Sequence, residues 1–216
     1  MIETQTVNGG PSNGIILPLP YLPSIDFFIY LIQRNPVKLE TQETYPKQTC
    51  RNRTIIYSAN GLLRLSIPVI KPGGNHTKTS EIIIDNKTHW NNIHWKAISS
   101  AYNKSPFFLY YKDDFEKLYK NPEGLLIDFN TKLLNLTNSL LQITPNIELT
   151  TEYIKHYEGI DDRRHLAKGL LTEFSFTPYT QVFCDRMPFE ANLSILDLLF
   201  NEGPEALMYL KKQHLE

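Results

Sequence analysis

Two short strand-like runs on either side of a helical pattern constrain the fold of this chain more than any other feature. Residues 15–17 are apolar and end at Pro18, and residues 37–40 form a second strand-like segment. Between them, residues 25–32 carry apolar side chains at helical spacing, with Ser24 placed to cap the helix. Strands joined by a helix run parallel, with a right-handed crossover. The sequence therefore predicts an α/β fold seeded by an N-terminal β-α-β unit.

The middle of the chain adds a hairpin and three helical patterns. Asn60-Gly61 supplies the positive φ angles of a tight turn between residues 54–57 and 62–70, which predicts an antiparallel hairpin. Residues 81–84 indicate a further short strand. Apolar side chains at helical spacing then predict three helices that cover the sheet, over residues 90–101, 107–119 and 125–140.

The last third of the chain combines strand-like and helical signals. Alternating apolar residues predict strands near 147–153 and 179–183. Ser194 and Asp197 have the spacing of a capping box at the start of a short helix, which Gly203 can end. The predicted class is therefore α/β, with a mixed sheet, covering helices and a mostly helical C-terminal part.

Length and composition bound the class of protein. With 216 residues, 41% of them hydrophobic, the chain can bury one sizeable core. We expect a flexible polar leader at residues 1–14 and a single domain at 15–216. The sequence has no apolar run of the ~20 residues that a membrane-spanning helix needs and no secretory signal, so we expect a cytoplasmic protein without membrane insertion. Cys50 and Cys184 lack a metal-binding framework and are expected to be free thiols, without a metal or a disulfide.

The charges are distributed unevenly along the chain. Residues 44–80 contain six Lys or Arg and no Asp or Glu, which leaves 16 basic against 23 acidic residues elsewhere. A basic segment without acids indicates an anionic ligand. A solvated charged edge is the alternative interpretation.

The cations of this segment are closest together at residues 47–53. Lys47 and Arg51 would share a face in a helical turn, whereas Arg51 and Arg53 would point the same way in an extended chain. Guanidinium groups can hold a phosphate or carboxylate at two points. The predicted anion-binding residues are Tyr45, Lys47, Gln48, Arg51, Asn52, Arg53 and Lys71, with Arg64 as a weaker member.

His94 and Asp161 are the candidate catalytic residues. His94 lies on the apolar face of a predicted helix, where a hydrogen-bonded core histidine is the plainer interpretation. An ordinary histidine pKa near ~6.5 would also suit a general base. Asp161 lies in the charged segment 161–165, which we predict to be a loop, and it could accept a substrate proton or pair with the neighbouring arginines.

Several common reaction classes lose support because their motifs are missing from the sequence. It contains no phosphate-binding loop, dinucleotide fingerprint, Gly-x-Ser-x-Gly elbow or His-Glu-x-x-His helix. Nucleic-acid binding by the basic segment remains an alternative, although a pI near 6.6 weighs against it. A noncatalytic partner protein, with exposed aromatics in residues 107–119 as its contact surface, is the third class.

A series of short motifs extends over residues 15 to about 210. In chain order these are Tyr21-Leu22-Pro23, Glu43-x-Tyr45-x-Lys47-Gln48-x-x-Arg51-Asn52-Arg53, Asn60-Gly61, Ile67-Pro68-Val69, His94-Trp95, Ala101-Tyr102, Ser105-Pro106-Phe107-Phe108, Tyr179-x-Gln181-Val182-Phe183 and Asn192-Leu193-Ser194-Ile195-Leu196-Asp197-Leu198-Leu199-Phe200-Asn201-x-Gly203-Pro204. Together they resemble the WbqC-like protein family, and the last two resemble its Bacteroidetes-type members.

The resemblance implies a role in surface-polysaccharide or O-antigen biosynthesis, since the family is known mainly from genes near those for such assembly. We interpret the chain as a transferase whose partner is a phosphate-bearing activated sugar or acyl donor, with no cofactor. The motifs add Trp95, Tyr102 and Gln181 as candidate ligand contacts. Many family members carry Gln-Pro after the first strand, but Pro18-Leu19-Pro20 stands there in this sequence, so no role of that Gln carries over. The oligomeric state is left open.

Overall fold

The computed structural model describes residues 14–122, 124–168 and 172–213. Its strands are β1 (Ile15–Pro18), β2 (Val37–Glu40), β3 (Arg53–Ser58), β4 (Gly61–Ser66), β5 (Val69–Ile70), β6 (Ile83–Ile84), β7 (Ile147–Leu149) and β8 (Asp161–Asp162). Its α-helices are α1 (Ile25–Gln33), α2 (Trp90–Tyr102), α3 (Phe108–Lys120), α4 (Leu126–Leu140), α5 (Ile195–Glu202) and α6 (Ala206–Lys212).

A parallel sheet with the strand order β7-β2-β1-β8 forms the centre of the structure. Strand β1 pairs in parallel with β2, in a register that places Ile15 opposite Val37 and Leu17 opposite Leu39. On its other side β1 pairs in parallel with β8. The side chains of β1 are buried on both faces, as is usual for a parallel strand covered by helices. The predicted α/β class and the parallel sheet seeded by β1 are confirmed.

The antiparallel strands form two separate ribbons. β3 and β4 pair from Arg53 opposite Ser66 to Ser58 opposite Gly61, which confirms the predicted hairpin turn. β5 pairs with β6 in a second short ribbon. Because side chains alternate along a strand, one face of the hairpin contributes Ile56 to the core. The opposite face carries Arg53 on β3.

The helices cover the sheet and meet in an aromatic cluster. α1 packs against α5 and α6, and α3 packs against α2, α4 and α5. Phe200 of α5 is fully buried, with the rings of Tyr102, Phe108 and Phe115 at centroid distances of 5.4, 5.2 and 5.7 Å. Edge-on contacts of this kind add to the hydrophobic stabilisation of a core. No helix within the described ranges is long and apolar enough to cross a membrane.

Three local predictions differ from the structure. Residues 179–183 are not a strand, because Gln181 is buried and bonds to Asp197 on α5 and to the backbone of Glu190 instead of alternating along a sheet. Asp161–Asp162 form β8 and are not a loop. Gly14, the last residue of the predicted leader, belongs to the fold, since its carbonyl accepts a 3.0 Å hydrogen bond from the amide of Asp161. Residues 1–13 lie outside the described residues.

Gly203 ends α5 in a conformation that only glycine adopts easily. Its φ is 54° and its ψ is −123°, and a Cβ at this position would lie 2.5 Å from the ring of Phe107. Backbone strain and overlap each cost on the order of 1–3 kcal/mol. We predict that Gly203→Ala lowers the free energy of unfolding by about 3 kcal/mol in urea denaturation.

Gly159 provides the matched control for this substitution. Its φ is also positive, at 70°, but a Cβ there would meet nothing within 4 Å. Gly159→Ala should therefore lower stability by only about 1 kcal/mol. Equal losses in the two variants would contradict the proposed role of the contact with Phe107.

Candidate functional site

A cavity of about 230 Å³ lies at the carboxyl end of β1 and the beginning of α1. Pro18, the last residue of β1, lines it together with Ser24 and Asp26 at the beginning of α1. Its other walls come from the β3-β4 hairpin, from residues 166 and 168 after β8, and from residues 192 and 194 before α5. Ligands of open parallel α/β sheets bind outside the carboxyl ends of the strands. The cavity is therefore the candidate functional site.

The segment that connects β1 to α1 is buried and forms one wall of this cavity. Residues 19–23 are all buried, and Pro20 and Pro23 carry no N–H group that would need a partner. Several of the remaining polar groups have partners in distant parts of the chain. The Tyr21 amide donates to the carbonyl of Cys50 at 2.9 Å, and the Leu22 carbonyl accepts from the hydroxyl of Thr54 at 2.8 Å. These bonds fix the segment against the hairpin.

Three cationic side chains line the cavity from two parts of the fold, and we call Arg53, Arg64 and Lys168 the cationic side. Arg53 of β3 and Arg64 of β4 lie on the same face of the hairpin, two residue pairs apart in the register. Lys168 ends the short 3₁₀ helix Arg164–Lys168. Within the part of the chain that the structure describes, none of the three forms an ion pair. The cationic side is thus chemically suited to an anion.

Two buried polar atoms at or next to the cationic side also lack hydrogen-bond partners among the described residues. Thr49 is only 4% exposed, and its hydroxyl makes no hydrogen bond among the described residues. The Nε atom of Arg53 is likewise buried without a partner. Buried polar groups are normally hydrogen-bonded, so each unpaired one calls for an explanation. A ligand in the cavity that both residues line would supply it.

A different group of polar residues lines the cavity near the beginning of α1. We call this group the carboxyl side, and it consists of Ser24, Asp26, Cys50 and Asn192. The Asp26 carboxyl accepts hydrogen bonds from the Ser24 hydroxyl and, at 2.8 Å, from the amide of Phe27. Burial raises the pKa of Asp26 above its ordinary value, although these hydrogen bonds oppose the shift. Burial of the Cys50 thiol, with the Asp26 charge second, raises the pKa of Cys50 to about 12. The thiol therefore stays protonated and is a poor nucleophile.

The amide groups at the beginning of α1 are already occupied. The amide of Ile25 donates to the carbonyl of Leu193 at 3.1 Å, and the amide of Asp26 donates to the side-chain oxygen of Asn192 at 2.9 Å. The amide of Phe27 is bound by the Asp26 carboxyl. An anion in the cavity would therefore have to be held by side chains and not by the helix N-terminus.

The walls of the cavity also contain unusual backbone conformations. Leu22, Gln48 and Asn192 have φ angles of 43°, 60° and 52° and all line the cavity. In the described part of the chain, Gln142 is the one other non-glycine residue with a positive φ. Such conformations concentrate at ligand sites, where surrounding contacts hold them in place.

The structure separates the two arginines that the sequence analysis grouped together. Arg53 lines the cavity, whereas Arg51 is fully buried and pairs with Glu43. Burial lowers the pKa of Arg51 to about 10, and the charge of Glu40 opposes this shift. The segment 44–80 is free of acids, but Glu43, just before it, pairs with Arg51, and the charge of Glu40 also acts on Arg51. Arg51 therefore belongs to an internal ion pair and not to the cavity wall.

The other predicted anion-binding residues are distributed over the same region. Gln48 lines the cavity, but Lys47 is exposed to solvent and does not. Tyr45 and Lys71 contact each other, with the Lys71 ammonium 4.8 Å from the centre of the ring. Asn52 donates to the carbonyl of Ile67 at 2.7 Å, a bond that ties together the outer ends of the hairpin. Of this predicted group, the structure brings Gln48, Arg53 and the weaker member Arg64 together at the cavity.

His94 lies in the core and is not among the residues that line the cavity, although it contacts Tyr21, which is. It is 4% exposed, and its Nδ1 atom is 2.9 Å from the hydroxyl of Tyr21, which also contacts the hydroxyl of Tyr119. Burial lowers the pKa of His94 to about 4, against an opposing hydrogen bond to the backbone of Ser66. The side chain is therefore neutral at pH 7 and has the surroundings of a hydrogen-bonded core histidine.

The remaining candidates also have internal partners. Trp95 stacks on Phe108 and Tyr119, with ring centroids 6.3 and 5.7 Å apart. Tyr102 is fully buried, and Gln181 donates to the carboxylate of Asp197 at 2.8 Å. Asp161 accepts a 2.7 Å hydrogen bond from Arg163, as the pairing interpretation of its segment predicted. None of these side chains is among those that line the cavity.

Several residues of the cavity were not predicted as site residues. They are Ser24, Asp26, Thr49, Cys50, Lys168 and Asn192. Residues 24 and 26 could have been found, since they follow the first strand of a predicted parallel sheet. Lys168 and Asn192 reach the cavity through long-range packing that no local pattern indicates. The described residues contain no group of three His, Cys, Asp or Glu side chains that could hold a metal ion.

Comparisons with known proteins give a family and one curated relative. The sequence model of the WbqC-like protein family matches residues 20–168, about two thirds of the chain. "Uncharacterized protein Rv1507c" of Mycobacterium tuberculosis (strain ATCC 25618 / H37Rv) is 26% identical over 221 residues, which cover 88% of this chain and 94% of the relative. No solved structure matches. The matched region contains the connection between β1 and α1, the hairpin and Lys168, but not the residues before α5.

Alanine substitutions of the two arginines should differ in their effect on the free energy of unfolding. Arg51→Ala removes the cation from a buried ion pair, and we predict that it lowers the free energy of unfolding by about 3–5 kcal/mol in urea denaturation. Arg53→Ala should change the same quantity by no more than about 1 kcal/mol. A large loss in Arg53→Ala with little loss in Arg51→Ala would contradict the two placements.

The buried, neutral His94 should also make stability depend on pH. The folded protein protonates His94 only near pH 4, whereas the unfolded chain does so near pH 6.5. The unfolded state therefore binds more protons between these values, and the contribution of His94 to stability is lost as the pH falls. We predict that His94→Gln reduces the loss of unfolding free energy between pH 7 and pH 4 by about 3 kcal/mol. Parallel pH profiles of the two proteins in urea denaturation would contradict this.

Proposed function

Since this chain belongs to the WbqC-like protein family, we propose that it is a transferase of surface-polysaccharide biosynthesis that uses a phosphate-bearing activated donor. The role in polysaccharide or O-antigen assembly rests on the family resemblance. The proposal places the protein in the cytoplasm, as its sequence predicts. The transferase activity and the phosphate-bearing donor are supported by the chemistry of the cavity.

The observation that carries the proposal is the convergence of Arg53, Arg64 and Lys168 on one cavity without internal acid partners among the described residues. Three cations held near one another repel, and an anionic ligand removes that repulsion. A diphosphate or phosphate ester offers several acceptor oxygens, which suits two guanidinium forks and an ammonium group. Gln48 and Thr49 add neutral hydrogen-bonding groups to the same wall.

The same cations can contribute to the rate of group transfer. When a bond to a phosphate leaving group breaks, negative charge develops on the departing oxygen. Side chains that already hold the phosphate stabilise this charge without reorganising. In this proposal Arg53 and its neighbours take the role that the sequence analysis gave to Lys47, Gln48, Arg51 and Arg53 as a group. His94 receives no catalytic role, because it lies outside the cavity wall and bonds to Tyr21.

Nucleic-acid binding is kept as the second candidate function. The observation that favours it is the exposed position of Lys47, Arg64 and Lys78 within the basic segment. The burial of Arg51 removes one cation from that surface. A phosphate site in a cavity and a backbone-binding surface differ in salt dependence, since each phosphate contact along a nucleic acid releases counterions.

The test is a thermal-shift panel followed by calorimetric titration of the ligands that stabilise the protein. The panel contains pyrophosphate, nucleotide sugars, acyl-coenzyme A and short RNA, each at low and high salt. We expect a nucleotide sugar or acyl donor to raise the midpoint, because ligands of the folded state stabilise it by mass action. Stabilisation by RNA alone, lost steeply with salt, would favour the second candidate and contradict the first.

Arg53→Gln and Lys47→Gln form a matched pair for the titration. Both remove one positive charge from the basic segment, but only Arg53 lines the cavity. We predict that Arg53→Gln raises the Kd for the donor about tenfold to a hundredfold. This is the effect expected from the loss of one hydrogen bond to a charged group. Lys47→Gln should leave the Kd within about twofold. Equal losses in the two variants would indicate a diffuse charge effect and contradict a phosphate site in the cavity.

A further inference from the structure

The Asp26 carboxyl is a buried acid without a cationic partner in a cavity that has a cationic side. Asp26 is 6% exposed and lines the cavity. Among the described residues no Lys, Arg or His nitrogen lies within 4 Å of its carboxyl oxygens. Buried carboxylates are normally paired, because removal of a charge from water is costly. The described residues therefore supply no cation that would compensate a charge on Asp26.

The contacts of Asp26 hold the carboxyl in place without neutralising it. The Ser24 hydroxyl and the Phe27 amide both donate to the same carboxyl oxygen, Oδ1. These are neutral donors, and so is the side chain of Asn192, which also hydrogen-bonds to the carboxyl. Burial still raises the pKa of the group above its ordinary value. An oriented carboxyl that has only neutral partners among the described residues, at the edge of a cavity, is suited to a cation from a ligand.

The helix cap at this position is also arranged in an unusual way. Ser24 is the N-cap of α1, but its side chain makes no capping hydrogen bond to the helix. Asn192 binds the amide of Asp26, and Asp26 binds the amide of Phe27. Because these two side chains do the capping, the Ser24 hydroxyl is directed to Asp26. Ser24 and Asn192 thus act together to orient the carboxyl toward the cavity.

We propose that this cavity recognises a primary ammonium group of its ligand through an ion pair with Asp26. This inference rests on the proposed function, in which the cationic side holds a phosphate of the same ligand. A ligand with both groups would compensate the carboxyl and the three cations at once. The substrate class is therefore a phosphate-bearing compound with a free amino group, such as an amino-sugar phosphate. A neutral hydroxyl could bond to Asp26 but would leave its charge uncompensated.

A purely structural role of Asp26 would be its favourable interaction with the positive end of the α1 dipole. Asp128 offers a comparison, because it lies in the first turn of α4, is exposed and does not line the cavity. Both acids occupy the same kind of helix position. Only Asp26 should influence which ligand is bound.

The inference is tested by calorimetric titration with a matched pair of probes, glucosamine 1-phosphate and glucose 1-phosphate. They differ by an ammonium group in place of one hydroxyl. We expect the wild-type protein to bind the amino sugar at least tenfold more tightly. Asp26→Asn, which keeps the shape and one hydrogen-bond acceptor, should lose this preference while its Kd for glucose 1-phosphate changes by less than about threefold. Asp128→Asn should retain the preference.

The outcomes separate this inference from the proposed function. If the wild type binds both sugars equally, or Asp26→Asn keeps the preference, the ammonium site is overturned and the phosphate site stands. Arg53→Gln should raise the Kd for both sugar phosphates by the same factor, since Arg53 acts on the phosphate that they share. If neither sugar binds to the wild-type protein, both proposals are overturned. The wild-type comparison needs no variant, so it remains decisive even if Asp26→Asn does not fold.

Discussion

The burial of the segment between β1 and α1 is the constraint on which the rest of this structure depends. Residues 19–23 pass through the interior, where each of their polar groups needs a partner that water cannot supply. Those partners come from far along the chain: Thr54 of β3 binds Leu22, and Asn130 of α4 donates to the carbonyls of Leu19 and Arg51. The hairpin, α4 and α5 are thereby held around the end of β1.

This arrangement also explains why the cavity has its particular chemistry. The buried segment brings the beginning of α1 against Asn192 and the hairpin, so a carboxyl and several cations line one small space. Elsewhere in the same region, charged side chains form ion pairs with each other. Arg51 pairs with Glu43, and Arg164 pairs with the fully buried Glu40. The contrast between these closed pairs and the unpaired groups of the cavity is the basis of both proposals.

Local sequence patterns predicted the elements well and the site only in part. The β-α-β unit, the Asn60-Gly61 hairpin and the helices α2 and α4 follow from short-range periodicity and turn chemistry, and the structure contains them. The strand expected at residues 179–183 is absent because a long-range bond from Gln181 to Asp197 overrides the local alternation. An extended chain would direct Arg51 and Arg53 to the same side. Their separation depends on Glu43 and the start of the hairpin at residue 53, which no spacing rule shows.

The most direct test of the account is an NMR titration that observes the Nε–H groups of the arginines while pyrophosphate is added. Arg51 and Arg53 both carry a buried Nε without a hydrogen-bond partner in the described structure, so each provides a sensitive probe. The account predicts that the Arg53 signal shifts and saturates with the ligand while the Arg51 signal stays in place. A saturating shift at Arg51 with none at Arg53, or no change at either, would contradict a phosphate site in this cavity.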